Sequence, residues 1–174
     1  KRQVKGWLRI GDDYYYMKGD GTMSTGWREM DGGWFYFKEN GKCTLGWGQI
    51  GNDWFYFGSD GKMLTGWQQI GGEYYYLNSD SKNVLGKMMT GWLSDGTNKY
   101  YMDTSSGKMA HGWKELEGSW YYFNDAGHMM TGWIQLSGVY YYLDPSTGKM
   151  AANTTLTIDG VSYTLPSNCP YQNS

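Results

Sequence analysis

Aromatic side chains recur at a fixed interval along this sequence, and they are the residues best suited to bind a ligand. The Gly-Trp pair occurs seven times in 174 residues, with steps of 20 to 25 residues between successive tryptophans. These are Trp7, Trp27, Trp47, Trp67, Trp92, Trp113 and Trp133. Several ring faces around one point attract a soft cation, and a quaternary ammonium suits them best because it has no N–H to satisfy. Sugars, which stack on aromatic planes, are the other plausible guest.

A second aromatic cluster follows each Gly-Trp pair at a constant distance. Three consecutive positions, here called the first, second and third slots, begin seven residues after the tryptophan, as in Trp34-Phe35-Tyr36. The first slot holds Tyr14, Trp34, Trp54, Tyr74, Lys99, Trp120 and Tyr140, and the third slot is always Tyr. After an apolar residue and a turn comes the Met slot, held by Met23, Cys43, Met63, Met88, Met109, Met129 and Met150. Because methionine fills gaps around aromatic rings, each repeat carries the parts of an aromatic cage.

Each copy of the repeat predicts a β-hairpin. The first strand is Gly-Trp with about three further residues, and the aromatic slots, rich in residues that favour strands, form the second. Gly and Asx residues between them supply the positive φ that short hairpin turns require. A lone hairpin is marginally stable in water, and regular repeats indicate stacking. The sequence therefore predicts an all-β solenoid of stacked β-hairpins.

The alternation of side chains along a strand assigns a face to each slot. Trp34 and Tyr36 share one face, whereas Phe35 and Phe37 share the other, which we predict to be core. The first face, with its indole N–H and phenol O–H groups, suits a half-open pocket that a neighbouring hairpin completes.

The organisation follows from the repeat. We predict a seven-copy array over residues 1–150, and a degenerate capping hairpin with a tail over residues 151–174, which contain "LTIDGVSYTL". The segment "NSDSKNVLGK", residues 78–87, predicts a longer loop in the fourth copy. Since the first repeat begins at Gly6, we expect the chain to be cut from a longer protein.

Composition and motifs argue against several other functions. A net charge of −2 gives no basic footprint for nucleic acid, and no apolar run is long enough for a transmembrane helix. Acidic residues fall mostly in turns, where they support backbone geometry, and His111 and His128 occupy variable slots that we interpret as surface. We expect no catalytic residues, no cofactor and no metal. Cys43 and Cys169 have no metal-binding spacing, and no disulfide is expected between them.

The stretches "TGW…GGWFYF…NGK" and "TGW…GSWYYFNDAGHMMTGW" resemble the choline-binding, or cell-wall-binding, repeats of Gram-positive surface proteins and phage-type lysins. The resemblance covers residues 5–150. It implies a non-catalytic module of a secreted, cell-surface protein, which can also carry a catalytic domain upstream. The implied partner is choline or phosphocholine on cell-wall or lipid-linked teichoic acid.

The resemblance also implies site residues. In that family a site takes the Gly-Trp tryptophan and the first slot of one repeat, with the third-slot Tyr and the Met of the next. Carried over, the predicted sets are Trp7, Tyr14 and Tyr36, with Cys43 replacing Met; Trp27, Trp34, Tyr56 and Met63; Trp47, Trp54, Tyr76 and Met88; Trp67, Tyr74, Tyr101 and Met109; and Trp113, Trp120, Tyr142 and Met150.

Two positions depart from this pattern. Lys99 stands in the first slot after Trp92, so we expect the position of Trp92, Tyr122 and Met129 to lack choline. In the alternative, the copy shifts register by one residue and Tyr100 serves as the wall. After Trp133 and Tyr140 the third slot of the next unit is Thr164, so no complete cage is expected.

Two other functions stay open at this point. One is a carbohydrate module for α-glucan, as in the related glucan-binding repeats. The other is a structural or adhesive stalk, in which the aromatic residues only hold the repeats together.

Overall fold

A computed structural model describes residues 5–165. Within this range the chain forms sixteen strands and no helix, which confirms the all-β prediction. The strands are β1 (Gly6–Ile10), β2 (Asp13–Met17), β3 (Gly26–Met30), β4 (Gly33–Phe37), β5 (Gly46–Ile50), β6 (Asp53–Phe57), β7 (Gly66–Ile70), β8 (Glu73–Leu77), β9 (Gly91–Ser94), β10 (Lys99–Met102), β11 (Gly112–Leu116), β12 (Ser119–Phe123), β13 (Gly132–Leu136), β14 (Val139–Leu143), β15 (Thr154–Ile158) and β16 (Val161–Leu165).

Consecutive strands pair into eight antiparallel hairpins, each a separate two-stranded sheet. The chain divides into two compact units, Lys1–Met89 and Thr90–Ser174. Strands β1 to β8 belong to the first unit, and β9 to β16 belong to the second.

The hairpin turns have the predicted chemistry. In the second hairpin Met30 pairs with Gly33, which leaves Asp31 and Gly32 as a two-residue turn. Their φ angles are 51° and 72°. Positive φ at both turn residues matches the twist of the flanking strands, and aspartate tolerates this conformation better than most residues.

Within each of the two units, a returning segment ties a hairpin to the one before it. The backbone N–H of Met63 donates to the carbonyl of Trp34 at 2.7 Å. The same bond joins other Met slots to the first slot of the preceding hairpin: Cys43 to Tyr14, Met88 to Trp54, Met129 to Lys99, and Met150 to Trp120. The Met slot therefore returns to one place in successive repeats, whichever side chains are present.

The core lies on the face that the alternation predicts. Phe35 and Phe37 are 1% and 0% exposed, and the equivalent residues of the other central copies are buried as well. On the opposite face, Trp27 and Trp34 are 39% and 37% exposed. The second, third and fourth hairpins thus have a buried face and a half-open aromatic face.

The fourth copy contains the predicted long loop, at residues 78–87. The buried side chain of Asn78 donates to the carbonyls of Asp80 and Val84, at 3.1 Å and 3.0 Å. The ammonium of Lys87 pairs with Asp53 at 2.7 Å. The loop is therefore folded by its own hydrogen bonds and fixed to β6.

Strands β15 and β16 form an eighth hairpin within the segment that the sequence assigns to a cap. Its capping role stays a prediction. The tail beyond residue 165, including Cys169, and the first four residues lie outside the described residues.

Candidate ligand-binding site

Aromatic cages form where the open face of one hairpin meets the core face of the next. In the second hairpin Trp27 pairs with Tyr36 and Glu29 pairs with Trp34, so Trp27, Trp34 and Tyr36 share a face. Phe55 of the third hairpin packs edge-on against Trp27, with ring centroids 5.0 Å apart. Trp34 lies 6.4 Å from Trp27, also edge-on.

These residues surround a cavity of about 440 Å³, here called the Trp27 cavity. Its walls are Trp27, Trp34, Phe55, Met63, Ser81, Val84 and Leu85. The second copy supplies the two tryptophans, the third supplies Phe55 and Met63, and the long loop of the fourth supplies the rest. The sequence analysis missed the contribution of the fourth copy.

The first hairpin has an equivalent, the Trp7 cavity, of about 260 Å³. It is lined by Trp7, Tyr14, Cys43, Leu45, Ser59 and Asp60, and Phe35 lies 5.2 Å from Trp7. Burial, with a smaller effect of Asp60, raises the pKa of the Cys43 thiol to about 11. The thiol is therefore neutral at physiological pH and takes the place of a methionine as an apolar wall.

The fifth hairpin has a third equivalent, the Trp92 cavity, of about 330 Å³. Its lining comprises Trp92, Leu93, Ser94, Lys99, Tyr121, Met129 and Thr147. As predicted for the first slot, Lys99 is part of this cavity.

The alternative register for the fifth copy is wrong. Tyr101 pairs with Trp92, as the third slot pairs with the Gly-Trp tryptophan in every other copy. Tyr100 is buried, and its hydroxyl donates to Asp95 at 2.8 Å. His128 packs edge-on against Tyr100, with ring centroids 5.3 Å apart, and is half-buried. Of the two histidines interpreted as surface residues, His111 alone is exposed.

Two further predicted sets are assembled in part. Trp47 lies 6.4 Å from Trp54, and the backbone of Met88 reaches Trp54 in spite of the long loop. Trp113 lies 6.5 Å from Trp120, whose carbonyl accepts from Met150.

The placement of the third wall differs from the prediction by one residue. Trp27, Trp47, Trp92 and Trp113 contact the second slot of the following hairpin, which holds Phe55, Tyr75, Tyr121 and Tyr141 at 4.9 to 5.1 Å. The predicted walls Tyr36, Tyr56, Tyr76, Tyr122 and Tyr142 instead lie 5.0 to 5.2 Å from the tryptophan of their own hairpin.

Strand alternation explains this difference. The third slot shares a face with the first slot of its own hairpin, so both face the space before the next hairpin. The second slot lies on the opposite face and points toward the preceding hairpin. Tyr36 also lines a wide groove with Trp47 and Trp54. Strand alternation in the sequence predicts this placement, whereas the family pattern alone does not.

The last described hairpin supplies a residue that the sequence analysis missed. Tyr163 lies 4.9 Å from Trp133 and occupies the second slot of its hairpin. The expected lack of a cage after Trp133 rested on Thr164, which is not the residue that faces this tryptophan. Tyr140, the first slot, is 64% exposed.

The predicted set of Trp67, Tyr74, Tyr101 and Met109 draws residues from both units. It stays a prediction. Ligand binding by every set named above is likewise a prediction.

Acidic residues of this chain serve the turns. Hydrogen bonds from the side chain of Ser146 and from Thr147 lower the pKa of Asp144 to about 2.

Among residues 5–165 no group of His, Cys, Asp and Glu is arranged to hold a metal ion. No helix in the described part of the chain is long and apolar enough to cross a membrane.

Two families of repeats match this chain. The profile described as "Choline-binding repeat" matches residues 44–85, 64–112 and 110–154. The profile described as "Putative cell wall binding repeat" matches residues 5–23 and 25–43. The chain belongs to the choline-binding repeat family, which confirms the resemblance seen in its sequence. Comparison with curated protein sequences gives no match.

Solved structures of Streptococcus pneumoniae proteins share the fold. Choline binding protein F, crystallised in the presence of a peptidoglycan analogue, is 35% identical with a TM-score of 0.81, over 94% of this chain and 56% of that one. CbpJ is 38% identical with a TM-score of 0.80, over 94% and 56% of the two chains. The modular autolysin LytC is 28% identical with a TM-score of 0.61, over 94% and 41%.

These likenesses confirm the predicted fold class, a hairpin solenoid. This chain spans little more than half the length of choline binding protein F and of CbpJ.

Proposed function

We propose that this chain is a non-catalytic anchoring module that binds choline headgroups of cell-wall teichoic acid in the aromatic cages between successive hairpins. The observation that carries the proposal is the Trp27 cavity, where three rings and a thioether surround one space. None of its described lining residues is charged, so a cation meets no repulsion there. At the Trp7 cavity Asp60 adds a carboxylate that favours a cationic guest.

The family and the neighbouring structures support this ligand. A phage Cp-1 endolysin of 27% identity was solved in complex with choline, and choline binding protein F was solved with ipratropium. On this basis the protein acts at the cell surface and holds a larger polypeptide to the wall. Several weak cages on one module would raise the affinity for the wall through effective concentration.

Calorimetry with a charge-matched pair of ligands tests the proposal. Choline should bind more tightly than its neutral isostere 3,3-dimethylbutanol, by about 0.5–2 kcal/mol per site, because cation–π attraction is lost in the alcohol. Equal binding of the two would show that the cages are merely hydrophobic.

An affinity column separates this proposal from the other functions. A cation-binding module should bind an immobilised tertiary amine and elute with free choline. Retention on dextran with no retention on the amine would instead support a glucan-binding module. Retention on neither would support a stalk.

A further inference from the structure

We propose that the Trp92 cavity binds a small organic carboxylate with a compact apolar body rather than a quaternary ammonium. The inference goes beyond the proposed function, because it concerns the one first slot among the seven that carries a positive charge. It predicts that a single module presents two kinds of site, one for cations and one for anions.

Two rings and a methionine of the Trp27 cavity have counterparts in this cavity. Trp92 and Tyr121 meet edge-on with ring centroids 5.1 Å apart, close to the 5.0 Å between Trp27 and Phe55. The backbone of Met129 is fixed by a 2.8 Å hydrogen bond to the carbonyl of Lys99. A compact apolar group therefore finds two rings and a methionine to pack against, and its burial is favourable.

The charge is what differs. Lys99 is the sole charged residue among the described residues that line the cavity. Its ammonium has no hydrogen bond, ion pair or ring contact within residues 5–165. Three N–H groups remain available to a ligand.

Nearby polar groups already have partners. Asp95, in the turn of the same hairpin, accepts from the Tyr100 hydroxyl and from the backbone N–H groups of Thr97 and Asn98. The hydroxyl of Ser94 donates to Asn98 at 3.2 Å, and that of Thr147 donates to Asp144 at 2.9 Å. Lys99 is therefore the donor that a ligand would meet first.

These features select by charge. An ammonium beside the rings repels a quaternary ammonium and so weakens the cation–π attraction that the rings would offer. A carboxylate, in contrast, gains a charge-assisted hydrogen bond. Because Lys99 is exposed, that gain is small, on the scale of a surface ion pair.

The test uses three ligands of one shape: choline, neutral 3,3-dimethylbutanol and anionic 3,3-dimethylbutyrate. Each is titrated into the full chain while the indole N–H signals of Trp92 and Trp27 are followed by NMR, with assignments from Trp92→Phe and Trp27→Phe. We expect Trp92 to respond to the anion more strongly than to the alcohol, and least to choline. Trp27 should show the reverse order.

Lys99→Met is the matched variant, since methionine keeps an unbranched side chain without the charge. It should weaken binding of 3,3-dimethylbutyrate at Trp92 by about two- to fivefold, the range for an exposed ion pair, and leave the choline response of Trp27 unchanged as a check of folding. The inference is overturned if Trp92 prefers choline, if it ignores the anion, or if Lys99→Met leaves the preference intact. A failure of Trp27 to bind choline would count against the proposed function alone.

Discussion

The Trp27 and Trp92 cavities are built on the same backbone frame but offer opposite chemistry. In both, the Met slot donates to the carbonyl of the first slot, at 2.7 Å for Met63 and 2.8 Å for Met129. In both, the ring from the second slot of the next hairpin meets the tryptophan at nearly the same distance. The first slot holds Trp34 in one cavity and Lys99 in the other, and Thr147 stands where the Trp27 cavity has Val84 and Leu85. The ring of the second slot changes from Phe55 to Tyr121, Ser81 lines only the Trp27 cavity, and Leu93 and Ser94 line only the Trp92 cavity.

This comparison separates two roles within one repeat. Backbone hydrogen bonds and the second slot set the geometry of the cavity, and they tolerate a change of the first slot from indole to ammonium. The charge and polarity of the cavity are set by the first slot and by the turn that follows the second hairpin further along the chain. The charge of the cavity can therefore vary along the chain without a change of fold.

The largest expected effect tests whether the frame is shared. Phe55→Ala and Tyr121→Ala each remove a buried ring from the same position in the two units, where exposure is 4% and 7%. We expect each to lower the free energy of unfolding by about 3–5 kcal/mol, measured by urea denaturation. A large loss for one variant and almost none for the other would show that the two frames are not equivalent.

A glycine in the loop of the Trp27 cavity has a smaller effect on stability. Gly86 has a φ of +77°, and a Cβ built on it would overlap the Sδ atom of Met63. Gly66 has a similar φ of +73°, with nothing within 4 Å of a Cβ. Both Gly→Ala variants incur the strain of a left-handed residue, about 1–2 kcal/mol, but only Gly86→Ala must also displace Met63.

We therefore expect Gly86→Ala to be the less stable of the two in urea denaturation. It should also weaken the response of the Trp27 indole signal to choline, whereas Gly66→Ala should leave that response unchanged. Equal effects of the two variants on choline binding would mean that Met63 is not a wall of the site.

The sequence predicted the parts of these cavities better than their assembly. The fixed period and the Asx-Gly turns sufficed for the hairpins, and strand alternation sufficed for the buried face that contains Phe35 and Phe37. The loop at residues 78–87 was also located from its extra length.

The family pattern predicts Tyr56 as the third wall of the Trp27 cavity, whereas strand alternation predicts Phe55, the residue that contacts Trp27. The contribution of Ser81, Val84 and Leu85 could not be predicted in the same way. Which gap a turn reaches depends on the rotation between successive hairpins, and that rotation is set by tertiary packing rather than by any local pattern.

An exchange of the first-slot residues Trp34 and Lys99 tests the difference between the two cavities most directly. Its expected effect on free energy is the smallest of those considered. Trp34→Lys places an ammonium in the Trp27 cavity and removes one ring, so one equivalent of bound choline should be lost. Lys99→Trp restores a ring and removes the charge in the Trp92 cavity, so one equivalent should be gained. The ring that is lost or gained contributes about 0.5–2 kcal/mol of choline affinity at its own cavity, the range for a cation–π contact, and the change of charge acts in the same direction.

Calorimetric stoichiometry with choline measures both changes, and the double variant is the internal control. Since the two cavities lie in separate units and share no residue, their effects should add, and the double variant should bind as many choline molecules as the unmodified chain. If Lys99→Trp adds no site while Trp34→Lys removes one, the Trp92 cavity is closed to cations by its other walls. Thr147, which stands where the Trp27 cavity has Val84 and Leu85, would then be the next residue to exchange.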